Sequence, residues 1–534
     1  MGPHGSTMAI VRAVVTASLL VVACTNGDPA QRPDPLAPLP IPAPADTERF
    51  RDAETCAQCH LAPDDSPVLH ASDGENVSPV LLWRSSMMGL AARDPYYLAV
   101  VAEEIARAPD REAETSKLCL RCHAPAGSEE SNGALTFEEL VSGNTPAAIL
   151  GRGGVTCTLC HQIPAANLGE ETSFSGGFSI GYGRMIFGRY LDPRTSPMML
   201  IVNYTPTGGA HIGSAALCGS CHTVIVPTAS GQVVEQATFL EWRSSTFATQ
   251  NKPCQLCHVP VVDDQGVAIS APVAMVPAGL APRTPVGKHV FVGGNSYILS
   301  LLADAVDWVG AGISRDELLA SAARDEAHLA TAAELSVVDM HREGGDAVVT
   351  IRVVNKTGHK LPTGYPSRRM WLHVTASTGG QVVFESGRVD SLKAETHHDQ
   401  ISNPADAQIW ESILVDASGN PTHRALDARR YSKDNRILPA GFAPTSTSDK
   451  QRTLPVGTDF DTNFIGGQDD ITYRIAGAPA NLSLDVELLY QALRPELIDV
   501  IDRGNTPASS RFVDMARKKP ITPVVMATST ATVP

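Results

Sequence analysis

Apolar and polar positions change rhythm several times along this chain. Met8-Ala-Ile-Val-Arg12 carries one charge, and a mostly apolar run follows from Ala13 to Leu20 before Val21-Val22-Ala23. A charged start, a short apolar stretch and small residues at a cut site predict an export signal over 1–23. The run is too short to span a bilayer, which takes ~20 residues, and no later stretch approaches that length. Short helices and irregular chain are expected over 48–261, including helices that open at Trp83 and Trp242. From Ser296 to Trp308 apolar residues recur at helical spacing. Ser314-Arg-Asp-Glu317 reads as a capping box that starts a helix running to about Ala332. Beyond it the pattern turns strand-like and β-branched: Leu335–Asp339, Ala347–Val354, Met370–Ser377, Gln381–Glu385, Ile409–Val415 and Leu482–Leu489. Leu493–Ile501 fits a short helix, and the end from about Lys518 reads as loose.

These elements predict an α+β protein. Its N-terminal domain is mostly helical and irregular, a helical bridge follows, and an antiparallel β-sandwich of six to eight strands ends the fold. The expected boundaries are a signal at 1–23, a Pro-rich tether at 24–47, a cysteine-rich domain at 48–261, the bridge at 262–332, the sandwich at 333–505 and a tail at 506–534. At 534 residues, more than one domain is expected. A net charge of −15 argues against nucleic acid and against electrostatic binding to anionic lipid.

Cysteine changes the picture most. Ten of the eleven cysteines form five Cys-x-x-Cys-His pentads: Cys56/Cys59/His60, Cys119/Cys122/His123, Cys157/Cys160/His161, Cys218/Cys221/His222 and Cys254/Cys257/His258. Two thiols at this spacing can reach two vinyl groups on one porphyrin edge, and the next histidine then meets the iron. Zinc would not require the following histidine, and disulfides would leave it unexplained. The pattern therefore predicts five covalently held haems c. The eleventh cysteine, Cys24, stands immediately after the expected cut, as in a bacterial lipoprotein box where the thiol takes a lipid; the alternative is an ordinary secreted signal with an incidental cysteine. From Thr25 to about Asp46 the chain is rich in Pro, Ala and Asp and reads as an extended tether.

The cysteine-rich half contains a repeat. Cys56 is followed by Leu82-Trp83-Arg84-Ser85-Ser86 and then the Cys119 pentad. Cys218 is followed by Glu241-Trp242-Arg243-Ser244-Ser245 and then the Cys254 pentad. A two-pentad unit thus occurs twice, with the Cys157 pentad between. Together with Trp83–Pro95, Gly154–His161, Leu217–Thr223, His289-Val-Phe-Val-Gly-Gly-Asn295 and Asn355–Gly364, this arrangement resembles a family of exported bacterial multihaem c-type cytochromes. The resemblance implies electron transport in respiratory or extracellular redox chains and covers most of residues 50–365. Val259 departs from the methionine expected after the fifth pentad in relatives.

Five irons take up to five further ligands. His70, His211, His289, His359 and His397 are the candidates, chosen for Gly- or Pro-tightened loops or for closeness to a pentad; a solvated loop histidine is the plain alternative for each. His328 is expected on a solvated helix face and His373 on the polar face of a strand, while His341 and His423 lack supporting context. Met87 and Met88 compete as sulfur ligands, although paired methionines on an apolar helix more often pack. The expected function is passage of electrons through five haems, on the periplasmic side or at the cell surface. A Cys24 lipid anchor in the outer membrane, redox proteins as donor and acceptor, and self-association into a longer wire complete that expectation. The alternative is an oxidoreductase with one open iron acting on a small nitrogen or sulfur compound. No convergence of Lys, Arg, His and Tyr around one pentad is visible along the sequence.

Overall fold

A computed structural model describes residues 1–2, 32–228, 231–393 and 396–533. The expected signal and Cys24 lie outside the described residues. The fold is α+β. The cysteine-rich half is a set of short helices, such as Ala53–His60, Pro95–Arg107 and Glu112–His123, joined by irregular chain and two small two-stranded sheets.

In the C-terminal half, one sheet orders its strands Arg430–Asp434, Ile409–Val415, Arg369–Thr378, Leu482–Gln491 and Val524–Val533, and Gln381–Ser386 also pairs with Arg369–Thr378. The other orders Ala333–Glu343, Asp346–Asn355, Gln468–Ile475 and Gln400–Ile401. All these pairings are antiparallel except the last, which is parallel. Alternation in Asp346–Asn355 and Gln468–Ile475 sends Val349, Ile351, Val353, Ile471 and Tyr473 inward, where they meet Leu372, Val374, Leu484, Val486 and Leu488 of the facing sheet. On the outer face the register places Arg352 opposite Asp470, and their side chains form a bidentate pair with 2.7 Å bonds.

A second core is helical. It gathers Leu98 and Ala102 of Pro95–Arg107, Leu299 and Leu302 of Ser296–Ala303, and Leu318 and Ala322 of Arg315–Leu329, and adds Phe512, Val513 and Ala516 of Pro507–Lys518. Ser314 and Glu317 form the capping box that opens Arg315–Leu329.

Three expected segments differ. The tail from 506 is ordered: Thr506 caps helix Pro507–Lys518, whose Phe512 and Val513 are fully buried, and Val524–Val533 extends a sheet beside Leu482–Gln491. The described part of the tether is docked rather than free. Arg32 pairs with Asp502 and Asp514, the Leu36 amide donates to the Pro507 carbonyl at 2.8 Å, and the Leu39 amide donates to that of Trp308 at 2.9 Å. The bridge is helical only from Ser296. Pro272, Pro277, Pro282 and Pro285 deny 262–295 a helix, and that stretch wraps back over the pentads instead.

The repeat survives in three dimensions. Trp83 and Trp242 sit in the last turn of Pro79–Arg84 and Thr238–Arg243, so the tryptophans close these helices instead of opening them. In each unit the second serine turns back on the tryptophan carbonyl: Ser86 Oγ donates to Trp83 O at 2.7 Å, and Ser245 Oγ to Trp242 O at 2.8 Å.

Candidate haem-binding site

Each pentad lies on a short helical turn whose backbone brings its cysteines and histidine to one side. The ten described cysteines are free thiols, and among the described residues none joins a cluster of three or more metal-ligating side chains.

Four of the five pentad imidazoles share one orientation. Nδ1 of His60 bonds Val273 O at 2.9 Å, that of His123 bonds Ala91 O at 3.1 Å, that of His161 bonds Phe187 O at 2.6 Å and that of His258 bonds Val292 O at 2.7 Å. A proton held on Nδ1 by a carbonyl leaves the Nε2 lone pair free for a metal. The wrapped segment 272–292 supplies two of these four carbonyls.

Three candidates from outside the pentads show the same arrangement. His70 Nδ1 bonds Val68 O at 2.9 Å, His289 Nδ1 bonds Gly287 O at 3.0 Å, and His359 Nδ1 bonds Lys360 O at 2.8 Å. Burial first, and neighbouring imidazoles next, press His289 down to about 4; burial does the same to His359, so both are neutral near pH 7.

Two of these rings face pentad partners. The centres of His161 and His289 are 6.3 Å apart, and those of His258 and His359 are 6.4 Å apart. An imidazole nitrogen binds a transition metal at about 2.0 Å and lies about 1.1 Å from its ring centre, so two imidazoles on opposite sides of one ion stand about 6.2 Å apart. The spacing fits an iron between each pair. His70 is held close to the first pentad, because Leu69 N donates to Pro272 O and His60 bonds Val273 O, next along the same segment.

His397 departs from the expectation. Its Nε2 bonds Asp461 at 2.7 Å, and its Nδ1 accepts from Gln408 at 2.8 Å and Asn435 at 3.0 Å. Both nitrogens are in use inside the sandwich, which leaves none for iron. His211 is a partial departure, with Nε2 committed to Ile163 O at 2.8 Å and only Nδ1 remaining. His328, expected in solvent, is half-buried with its ring centre 5.2 Å from that of His258, and burial lowers it to about 4. Met87 packs into the helical core. His373 lies between Glu385 and Glu487 on its strand, each at 3.0 Å.

Neighbouring thiols place the pentads relative to one another. Cys56 hydrogen-bonds Cys157, and that contact, with burial, pushes the Cys56 thiol far up. Contacts of the same kind join Cys122 to Cys221 and Cys218 to Cys254. Cys160 lies within electrostatic reach of Cys221. The first pentad therefore adjoins the third, the third adjoins the fourth, and the fourth also adjoins the second and the fifth. Order in the chain is not order in space, and the fourth pentad is the hub.

Some site residues carry no motif. Tyr97 lies flat on His123, with ring centres 3.7 Å apart and planes 4° apart. Fully buried Glu241, next to the repeat tryptophan, receives Lys360 N at 3.1 Å and Thr363 Oγ1 at 2.6 Å on one oxygen, and its other oxygen forms an ion pair with the Arg436 guanidinium at 3.1 Å. It ties the His359 loop to the cysteine-rich half. Its only sequence signal is that it replaces Leu82 of the first unit's Leu-Leu-Trp-Arg-Ser-Ser string, a charge where the repeat has an apolar residue.

Among solved structures the chain is similar to a penta-heme cytochrome c552 from Thermochromatium tepidum, with a TM-score of 0.51 and 16% identity over 91% of this chain and 99% of that one. No family model and no curated protein matches the sequence. At that identity the likeness is one of fold.

Proposed function

We propose that this chain is an exported multihaem c-type cytochrome that binds five haems covalently, one per pentad, and passes electrons among them. The observation that carries the reading is the facing of His161 by His289 and of His258 by His359 at the spacing two axial ligands require. Bound haem supplies the one-electron chemistry. The protein fixes the ring nitrogens through backbone carbonyls, excludes water and sets the order of neighbours. The adjoining cysteine pairs bring the pentads close enough for direct passage, with the fourth as a junction. The fold of the penta-heme neighbour agrees with this reading, as do the thiols free of disulfides and the buried setting of the histidines.

Mass spectrometry of the denatured mature protein tests the count: five haem additions are expected, and four or fewer in a fully matured sample refute it. In the same reading Cys24 bears lipid and holds the protein to a membrane, with basic redox proteins as partners. Cys24→Ala should then release the protein into the soluble fraction. Among the described residues no helix is long and apolar enough to cross a membrane.

A further inference from the structure

One guanidinium beside the fifth pentad is left without a counter-charge. Arg368 is half-buried and reaches two segments at once. Its Nη1 donates to the Thr363 carbonyl at 2.8 Å, in the loop that presents His359, and its Nη2 donates to Asn295 Oδ1 at 3.3 Å. Asn295 continues the stretch whose Val292 carbonyl holds His258 Nδ1. One side chain therefore ties together the supports of both imidazoles that face each other at the fifth pentad. Gly364, at a φ of +88°, makes room for it, because a Cβ there would stand 3.1 Å from Nη1. Arg368 is also within electrostatic reach of His359 and of His222.

The arginines around it have acidic partners. Arg369 pairs with Glu496, and Arg494 with Glu411. Among the described residues no carboxylate lies within ion-pair distance of Arg368. The acids of its surroundings are already engaged. Asp325 accepts from the Gly293 and Asn295 amides at 2.8 and 3.1 Å, and Glu241 takes Lys360 N, Thr363 Oγ1 and Arg436. A guanidinium carries five N–H donors in a planar fork that matches a carboxylate, and only two are engaged here. The others are free for an anion next to the facing pair.

We propose that Arg368 is a carboxylate-binding site for a propionate of the haem enclosed by His258 and His359. The proposal rests on haem binding at the fifth pentad and deepens that reading by naming the residue that orients this haem and tunes it. Offsetting a propionate's negative charge disfavours the oxidised, more positive iron, so the pairing raises the haem's potential. The fifth haem is favoured over the fourth because both hydrogen bonds of Arg368 go to segments that hold the fifth pentad's imidazoles. A carboxylate from solution would suit the same fork, and acetate serves as the probe for that source.

A crystal structure of the wild-type holoprotein should place a propionate oxygen about 2.7–2.9 Å from the Arg368 guanidinium. In Arg368→Gln all five haems should stay attached by mass spectrometry. Spectroelectrochemistry should show one midpoint lowered by about 59 mV, a tenfold shift in a one-electron equilibrium. Arg368→Lys keeps the charge and should recover most of that shift. Exchanging chloride for acetate at constant ionic strength should move no midpoint of the wild type. A nearest propionate beyond about 4 Å, or one that belongs to the fourth haem, overturns the proposal. So do unchanged midpoints in Arg368→Gln, a shift that Arg368→Lys shares in full, or a wild-type response to acetate. Should neither variant mature, the wild-type structure still decides. Missing haem in the wild-type mass spectrum would instead refute haem binding itself, so the two failures are distinguishable.

Discussion

A histidine's second nitrogen decides what it can do. His359 sits in Gly358-His-Lys-Leu-Pro362, where Asn355 Nδ2 donates to the His359 carbonyl at 2.8 Å and the Lys360 carbonyl holds Nδ1. His359→Ala should therefore leave every haem attached yet turn about one fifth of the iron high-spin and raise that haem's potential, as spectroelectrochemistry with EPR can show. His289→Ala should open a different iron, so the double variant should double the high-spin fraction. His397→Ala should leave the spin state untouched. It should cost about 1–3 kcal/mol of sandwich stability by stranding buried Asp461, which a denaturant titration measures. The His359 loop is legible along the chain because glycine and proline shape it locally. His397 is not, because Asp461, Asn435 and Gln408 reach it from distant parts of the chain, and its neighbours His398 and Asp399 give no hint of them.

At the scale of elements, the repeat serves docking. Arg84 of the first unit pairs with Glu317, the capping-box residue of Arg315–Leu329. Arg243 of the second makes bonds of 2.6 and 3.0 Å to Asp449 of the sandwich half. One position in the motif thus fastens each unit to a different neighbour. The pentads, the capping box and most strands are readable from spacing, since each is a short-range pattern. The last helix is hidden because Arg511, Asp514, Arg517 and Lys518 interrupt its apolar stripe of Phe512, Val513, Met515 and Ala516. The last strand is hidden by its small Thr, Ser and Ala residues. Ending the chain after Asn505 removes Phe512, Val513, Ile521 and Met526, all buried. At about 2 kcal/mol for each large side chain the loss is on the order of 8 kcal/mol, comparable with the stability of a whole domain. The truncated protein should fail to accumulate in a protease-resistant form, as limited proteolysis of export fractions will show.

At the scale of the molecule, the halves meet over a buried charge network. Lys360 Nζ lies 2.6 Å from Asp434, Arg436 bridges Asp434 and Glu241, and Thr246 N donates to Ala440 O at 2.9 Å. Burial alone would raise the Asp434 carboxyl, but Arg436 and Lys360 hold it down to about 2. An unfolded aspartate titrates near 3.9, so the depressed folded value stabilises the protein above about pH 4, and that contribution fades as pH falls through about 2. It amounts to about 2–3 kcal/mol. Denaturant midpoints should fall between pH 4 and pH 2, and Asp434→Asn should flatten that fall while weakening the protein at pH 7. The clasp between the two chain ends has a consequence for reach. Arg32 is fixed to the last helices, so a lipid on Cys24 would have only eight residues of slack, at most about 28 Å fully extended. Under the proposed anchoring, a protein on so short a leash would not swing to search for partners. Its closing helices would face the membrane, and a donor and acceptor would come to the faces turned away.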